Sequence, residues 1–141
     1  MEMSIQVISE DIVARLRAIP ELQTVGFTVG SQDHDPYNRE IPHPSAWVLY
    51  VGDDLVDEGS DLNHCNIFIK HNFVVKILDD WDTNETALLT TRLPLTHTVA
   101  KAINGQTAIT GSNWLYEGQG LEELDGRMVW AQSYSIKIGL R

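Results

Sequence analysis

Residues 66–78 read NIFIKHNFVVKIL, and no other stretch constrains the fold as tightly. Ile67, Ile69, Phe73, Val75 and Ile77 stand at alternate positions broken only by His71, with Lys70, Asn72 and Lys76 at positions between them. Successive side chains of a strand point to opposite faces, so this alternation predicts one face packed on a core and the other exposed. Its thirteen residues are about twice the usual strand length. Long strands carry long rows of backbone donors and acceptors, which proteins either blunt or pair with a neighbour.

The flanking segments supply the remaining elements. Ile12, Val13, Leu16 and Ile19 fall on one face of a helix expected over Asp11–Ile19. Ser9 is placed to cap it, Glu10 and Asp11 favour its positive end, and Pro20 stops it. Val25–Val29 reads as a short strand. Residues 30–44 hold Pro36, Pro42 and Pro44 among polar residues, a pattern that predicts a long surface loop. Ala46–Val51 is apolar throughout, as in a strand buried on both sides. Gly52–Asn63 is rich in acids and reads as a solvated turn or loop. A second helix is expected within Glu85–Ile103, with Pro94 kinking it or opening a helical piece and Asn104-Gly105 ending it. Trp114–Gln119 and Arg127–Ile138 then read as strands around a turn at Asp125-Gly126. The order α-β-(loop)-β-β-α-β-β predicts an α+β domain over residues 1–141. Its sheet is mainly antiparallel or mixed, flanked by two helices, with one long proline-containing loop.

Composition narrows the functional classes. Twenty Asp and Glu against ten Lys and Arg leave a formal charge of −10. Such a balance opposes nucleic-acid binding over the whole surface, which depends on cations displacing counterions from phosphates. The single cysteine, Cys65, cannot form an internal disulfide and favours a reducing compartment. The start of the chain lacks the basic and apolar run of a signal peptide, and no apolar run approaches the roughly 20 residues of a membrane span.

Residues able to do chemistry are present without the spacing that chemistry needs. The sequence has no phosphate-binding glycine loop, HExxH, GxSxG or CxxC motif. Cys65 and His64 are neighbours on a strand start and point apart, which disfavours a thiolate–imidazolium pair. Asp33, His34, Asp35 and His43 could ligate a divalent ion, yet a solvated loop has the same composition. Asp79, Asp80 and Asp82 fit the approach to a helix start, where acids are stabilising in any case. His71 is expected in the core or at an interface, and His97 on a helix surface. The expectation is a protein without catalytic, cofactor-binding or metal-binding residues.

The layout resembles that of bacteriophage tail terminator, or tail completion, proteins. The similarity runs through IVARLRAIPEL (12–22), HPSAWVLYVGD (43–53), NIFIKHNFVVKIL (66–78) with DDWD after it, VAKAING (99–105) and the hairpin 113–138. It covers nearly the whole chain and lies in element order and hydrophobic texture. The resemblance implies a virion protein, assembled in the host cytoplasm, that forms a homohexameric ring at the head-proximal end of the tail tube. Such a ring ends tube polymerisation and joins the tail to neck or connector proteins, and to a sheath where the tail contracts. DNA passes through it without specific binding, and no membrane is involved.

Within such a ring, inter-subunit or tube contacts are expected from the loop residues Asp33, His34, Asp35, Pro36, Tyr37 and Arg39. The strand residues Lys70, Asn72 and Lys76 are expected to join them. An acidic lumen would draw on Asp53, Asp54, Asp57, Glu58 and Asp61, or on Glu117, Glu122 and Glu123, which would let a duplex slide without sticking. The alternatives are another neck, head-completion or minor tail component, and a small cytoplasmic metal-binding enzyme built on the Asp33/His34/Asp35/His43 cluster.

Overall fold

Helix α1 spans Ile5–Arg17 and starts earlier than its cap signal predicts. Ile5 and Ile8 extend the apolar stripe of Ile12, Val13 and Leu16 backwards by nearly two turns, and burial of that stripe outweighs the capping preference of Ser9. Ser9 is instead buried inside the helix, where its hydroxyl donates to the Ile5 carbonyl at 2.7 Å. The computed structural model describes residues 5–27, 42–61, 66–78, 93–108, 111–124 and 127–140.

Strand β1 (Thr24–Phe27) lies parallel to the start of β2 (Ser45–Asp61). β2 pairs antiparallel with β3 (Asn66–Leu78), and β3 pairs along its length with β5 (Arg127–Leu140). Helix α2 (Leu93–Ile103) and β4 (Trp114–Leu124) complete the described elements, with β4 on the outer side of β5. The sheet order is β1-β2-β3-β5-β4, so the fold is α+β with one parallel pair in an otherwise antiparallel sheet.

The acidic stretch expected as a loop is strand. β2 continues through Asp53, Asp54 and on to Asp61, paired from Ser45↔Leu78 to Asp61↔Asn66. Asp and Gly are poor strand formers, but the row of ladder hydrogen bonds offered by β3 overrides local preference. Register shifts in β2 at Tyr50/Gly52 and in β4 at Tyr116/Gly118 are each met by a glycine at positive φ, +123° and +119°.

Both helices pack on one face of the sheet. Ile8, Ile12 and Leu16 of α1 and Leu95, Val99 and Ile103 of α2 meet Val48, Phe73, Val75, Trp114, Tyr134 and Ile136 in the main core. Trp114 sets its edge against Phe73 at 5.4 Å, and its indole donates to Asp11 Oδ2 at 2.8 Å. Beneath α2, Gln132 is buried and fully engaged. Its amide nitrogen donates to the Thr96 carbonyl (2.8 Å) and to Gln119 Oε1 (3.0 Å), while Tyr134 donates to its oxygen (2.7 Å).

On the opposite face Trp47, Leu78 and Val129 form a smaller buried cluster. Burial on both sides, expected for all of Ala46–Val51, therefore holds for Ala46–Val48 and fails by Val51, which is 51% exposed. Sheet order also places β3 and β5 in the interior, so these two long strands offer faces to a partner and not edges. Among the described residues no helix is long and apolar enough to cross a membrane.

Candidate functional site: the helix-free face of the sheet

β3 positions the sequence-predicted contact residues. Phe73, Val75 and Ile77 take its core side, so alternation sends Lys70, Asn72 and Lys76 to the face that no described helix covers. β4 and β2 bring acids to the same face. Lys70 Nζ lies 3.5 Å from Glu117 Oε2, and Lys76 Nζ lies 3.5 Å from Glu122 Oε2. Asn72 Nδ2 donates to Asp54 Oδ2 at 2.9 Å. Residues expected in two separate roles, contact and channel lining, are therefore neighbours in three pairs.

The local sequence explains how these pairs form. β5 separates β3 from β4, and between Val129 and Lys137 its residues on this face are Ala131, Ser133 and Ser135. Their small side chains let Lys70 and Lys76 reach over β5 to the glutamates of β4. Further along, Lys137 sits over the Phe68 ring, 4.5 Å from its centroid. The face is thus a lattice of paired charges with Leu49, Val51, Val74 and Leu115 around it.

Asp53 is on the other side of the sheet. The shift in register at Gly52 turns it toward Tyr50 and His71. The Tyr50 hydroxyl donates to Asp53 Oδ2 at 3.4 Å and lies 3.2 Å from His71 Nδ1. Burial raises the Tyr50 phenol above its ordinary value, with the Asp53 charge adding to the rise. Burial lowers the His71 imidazole, and Asp53 opposes that only in part. His71 is half-buried at the margin of the core, its ring 5.9 Å from that of Tyr50. His97 is exposed on α2.

The remaining expected residues divide plainly. Asp33, His34, Asp35, Pro36, Tyr37 and Arg39 lie outside the described residues, as do His64, Cys65, Asp79, Asp80 and Asp82. Asp57, Glu58 and Asp61 belong to β2 and Glu123 to β4 by backbone, with their side chains outside the description. His43 Nδ1 lies 2.9 Å from Ser45 Oγ, which also accepts the Trp47 indole N–H at 2.9 Å. Among the described residues no three His, Cys, Asp or Glu side chains converge as metal ligands.

Sequence reasoning put Asp11 at the positive end of the helix, whereas α1 starts at Ile5 and holds Asp11 in its middle, and it missed the role that Asp11 has there. Asp11 joins α1 to the far end of the sheet by accepting from Trp114 and from Arg15 Nε (3.1 Å), while Arg15 also donates to the Thr107 carbonyl (2.7 Å). The i,i+4 spacing of Asp11 and Arg15 was a readable signal; the link to Trp114, 103 residues away, was not. No family model matches the chain, and no curated protein matches it.

Proposed function

We propose that this protein is a structural subunit of a bacteriophage tail, a terminator that forms a ring on the head-proximal end of the tail tube, stops tube growth and presents a surface to the neck. The reading rests on the layout resemblance, and the observation that best supports it is the sheet face that no described helix covers. That face is built from the longest strands, and Trp47, Leu78 and Val129 are buried at one end of it. Lys70, Asn72 and Lys76 stand in its middle. A surface of this kind suits docking on another protein by shape and paired charge.

The pairing also bears on the acids. Asp54, Glu117 and Glu122 are partnered by Asn72, Lys70 and Lys76. The face they share is nearly neutral, and in this reading it meets protein. The channel for DNA then takes its negative potential from other acids of the chain, whose net charge is −10.

The test is complementation. A phage lacking this gene is supplied with the wild-type protein, with Lys70→Glu/Lys76→Glu, or with a deletion of residues 33–40. Wild-type protein restores tails of regular length joined to heads, while the variants, folded, give overlong or unjoined tails. Regular, joined tails with both variants would reject the assigned surfaces. Regular tails in the complete absence of the protein would reject the function.

A further inference from the structure

Asn104-Gly105 is the one asparagine–glycine step of the sequence, and it stands where α2 gives way to the approach to β4. Gly105 takes positive φ, +76°, as the left-handed residue that ends the helix. The same step is chemically reactive, because glycine has no side chain to hinder its own backbone nitrogen. That nitrogen attacks Asn104 Cγ. The N–Cγ bond forms, the Cγ–Nδ2 bond breaks, and the proton of the attacking amide passes through solvent to the departing ammonia. Water then opens the resulting succinimide at either carbonyl, leaving aspartate or isoaspartate. Only water is consumed, and Asn104 and Gly105 are both exposed to it.

The fold engages both reacting groups. The Asn104 N–H donates to the Ala100 carbonyl at 2.8 Å, which keeps the residue in the last helical turn. Its Oδ1 accepts the Tyr116 N–H at 3.0 Å. The Gly105 N–H donates to the Trp114 carbonyl at 2.7 Å, and the Trp114 N–H donates to the Gln106 carbonyl at 3.0 Å. Closing a five-membered ring requires the Asn104–Gly105 peptide to rotate until its nitrogen meets Cγ. That rotation carries the Gly105 N–H away from Trp114 and the side-chain carbonyl away from Tyr116. The reaction therefore waits for the junction between α2 and β4 to open, at the expense of the hydrogen bonds that hold it.

The product does not fit the closed junction. Isoaspartate routes the main chain through Cγ and so inserts a methylene between residues 104 and 105. The carbonyl that meets Tyr116 then belongs to the main chain, and Gly105 is displaced from Trp114. Trp114 is buried, sets its edge against Phe73 and donates to Asp11, so a junction that stays open loosens the tie between α1 and β4. Glu117, which pairs with Lys70 across the sheet, follows three residues later on the same strand.

We infer that Asn104 is a deamidation site that the α2–β4 junction holds closed in the fold, and that its conversion to isoaspartate keeps the junction from closing again. The inference stands on the junction alone and does not depend on the tail reading.

The experiment follows the purified full chain in warm, mildly alkaline buffer, folded and in denaturing urea, by fragmentation mass spectrometry of the peptide that holds residue 104. Deamidation replaces an amide by a carboxyl and changes the mass, which separates it from isomerisation at Asp125-Gly126, where the mass is unchanged. Asn104 converts readily in urea and at least about tenfold more slowly in the fold, where opening limits it. Tyr116→Pro removes an outward N–H at a strand edge, a position that tolerates proline, and speeds the reaction in the fold. If that variant does not fold, urea below the unfolding transition favours the same opening in the wild type and raises the rate. The isoaspartyl form, isolated by ion exchange and refolded, melts below Asn104→Asp, which carries the new charge without the extra methylene. Equal rates in the fold and in urea, no reaction in either, or a folded-state rate that neither change raises overturns the gate. An isoaspartyl form that melts together with Asn104→Asp overturns the claimed consequence. None of these results touches tail capping, which is read from tail length in the phage.

Discussion

At the scale of single residues, two polar side chains near the core hold more than their sequence context implies. Asp11 accepts from the buried Trp114 indole and from Arg15, and so ties α1 to β4. Its replacement by alanine strands a buried donor and frees the arginine. Asp11→Ala should cost about 1–3 kcal/mol, read as a lower midpoint in urea with unchanged slope. His71 gives a pH dependence with a fixed sign. Burial lowers its folded pKa below the unfolded value near 6.5, so the unfolded chain takes up the proton first. Stability from this residue is present above that value and lost as pH falls through the folded pKa. The wild type should lose more thermal stability than His71→Gln between pH 7.5 and pH 5 in paired melting curves; equal losses would mean that His71 is solvated in the fold.

At the scale of elements, close approach and long pairing decide what the sheet accepts. Gly26 of β1 faces Trp47 across the parallel pair, and a Cβ there would stand 3.0 Å from the indole ring. Gly26→Ala should therefore push the ring or the edge strand aside, at about 1–3 kcal/mol, measurable by denaturant unfolding. The charged pairs across β5 behave oppositely. They are partly solvated, so Lys76→Ala should change stability by about 1 kcal/mol or less, and a defect it causes in tail assembly would report docking and not folding. The 66–78 alternation was legible at full length, from Asn66 to Leu78. Its partner was not. The acids of residues 53–61 read as a loop because propensity is local, whereas β2 is held by a ladder supplied from elsewhere in the chain.

At the scale of the whole molecule, the helices cover only part of the sheet. The main core lies around Val48, Phe73–Ile77 and Tyr134, and β2 and β3 run on beyond it toward Asp61 and Asn66. Amide exchange should accordingly be slowest in Phe73–Leu78 and Val129–Ile136 and faster in Asp53–Asp61, a gradient that mass-resolved hydrogen exchange would display. Uniform protection along β2 would show that the far end is covered by a further contact.

The amino-acid order alone determined the class and order of elements: two helices, a short strand, a strand at Ala46–Val51 whose full length it did not show, the long strand 66–78, and a closing hairpin, because hydrophobic periods of 3.6 and 2 are local properties. It also separated Lys70, Asn72 and Lys76 from the core residues beside them, since alternation needs no knowledge of the rest of the chain. Only the tertiary structure decided which strands are interior and which are edges, and that Glu117, Glu122 and Asp54 would meet those three residues on one face. Strand order and cross-sheet pairing join residues up to dozens of positions apart, and no local pattern encodes which neighbour a strand will choose.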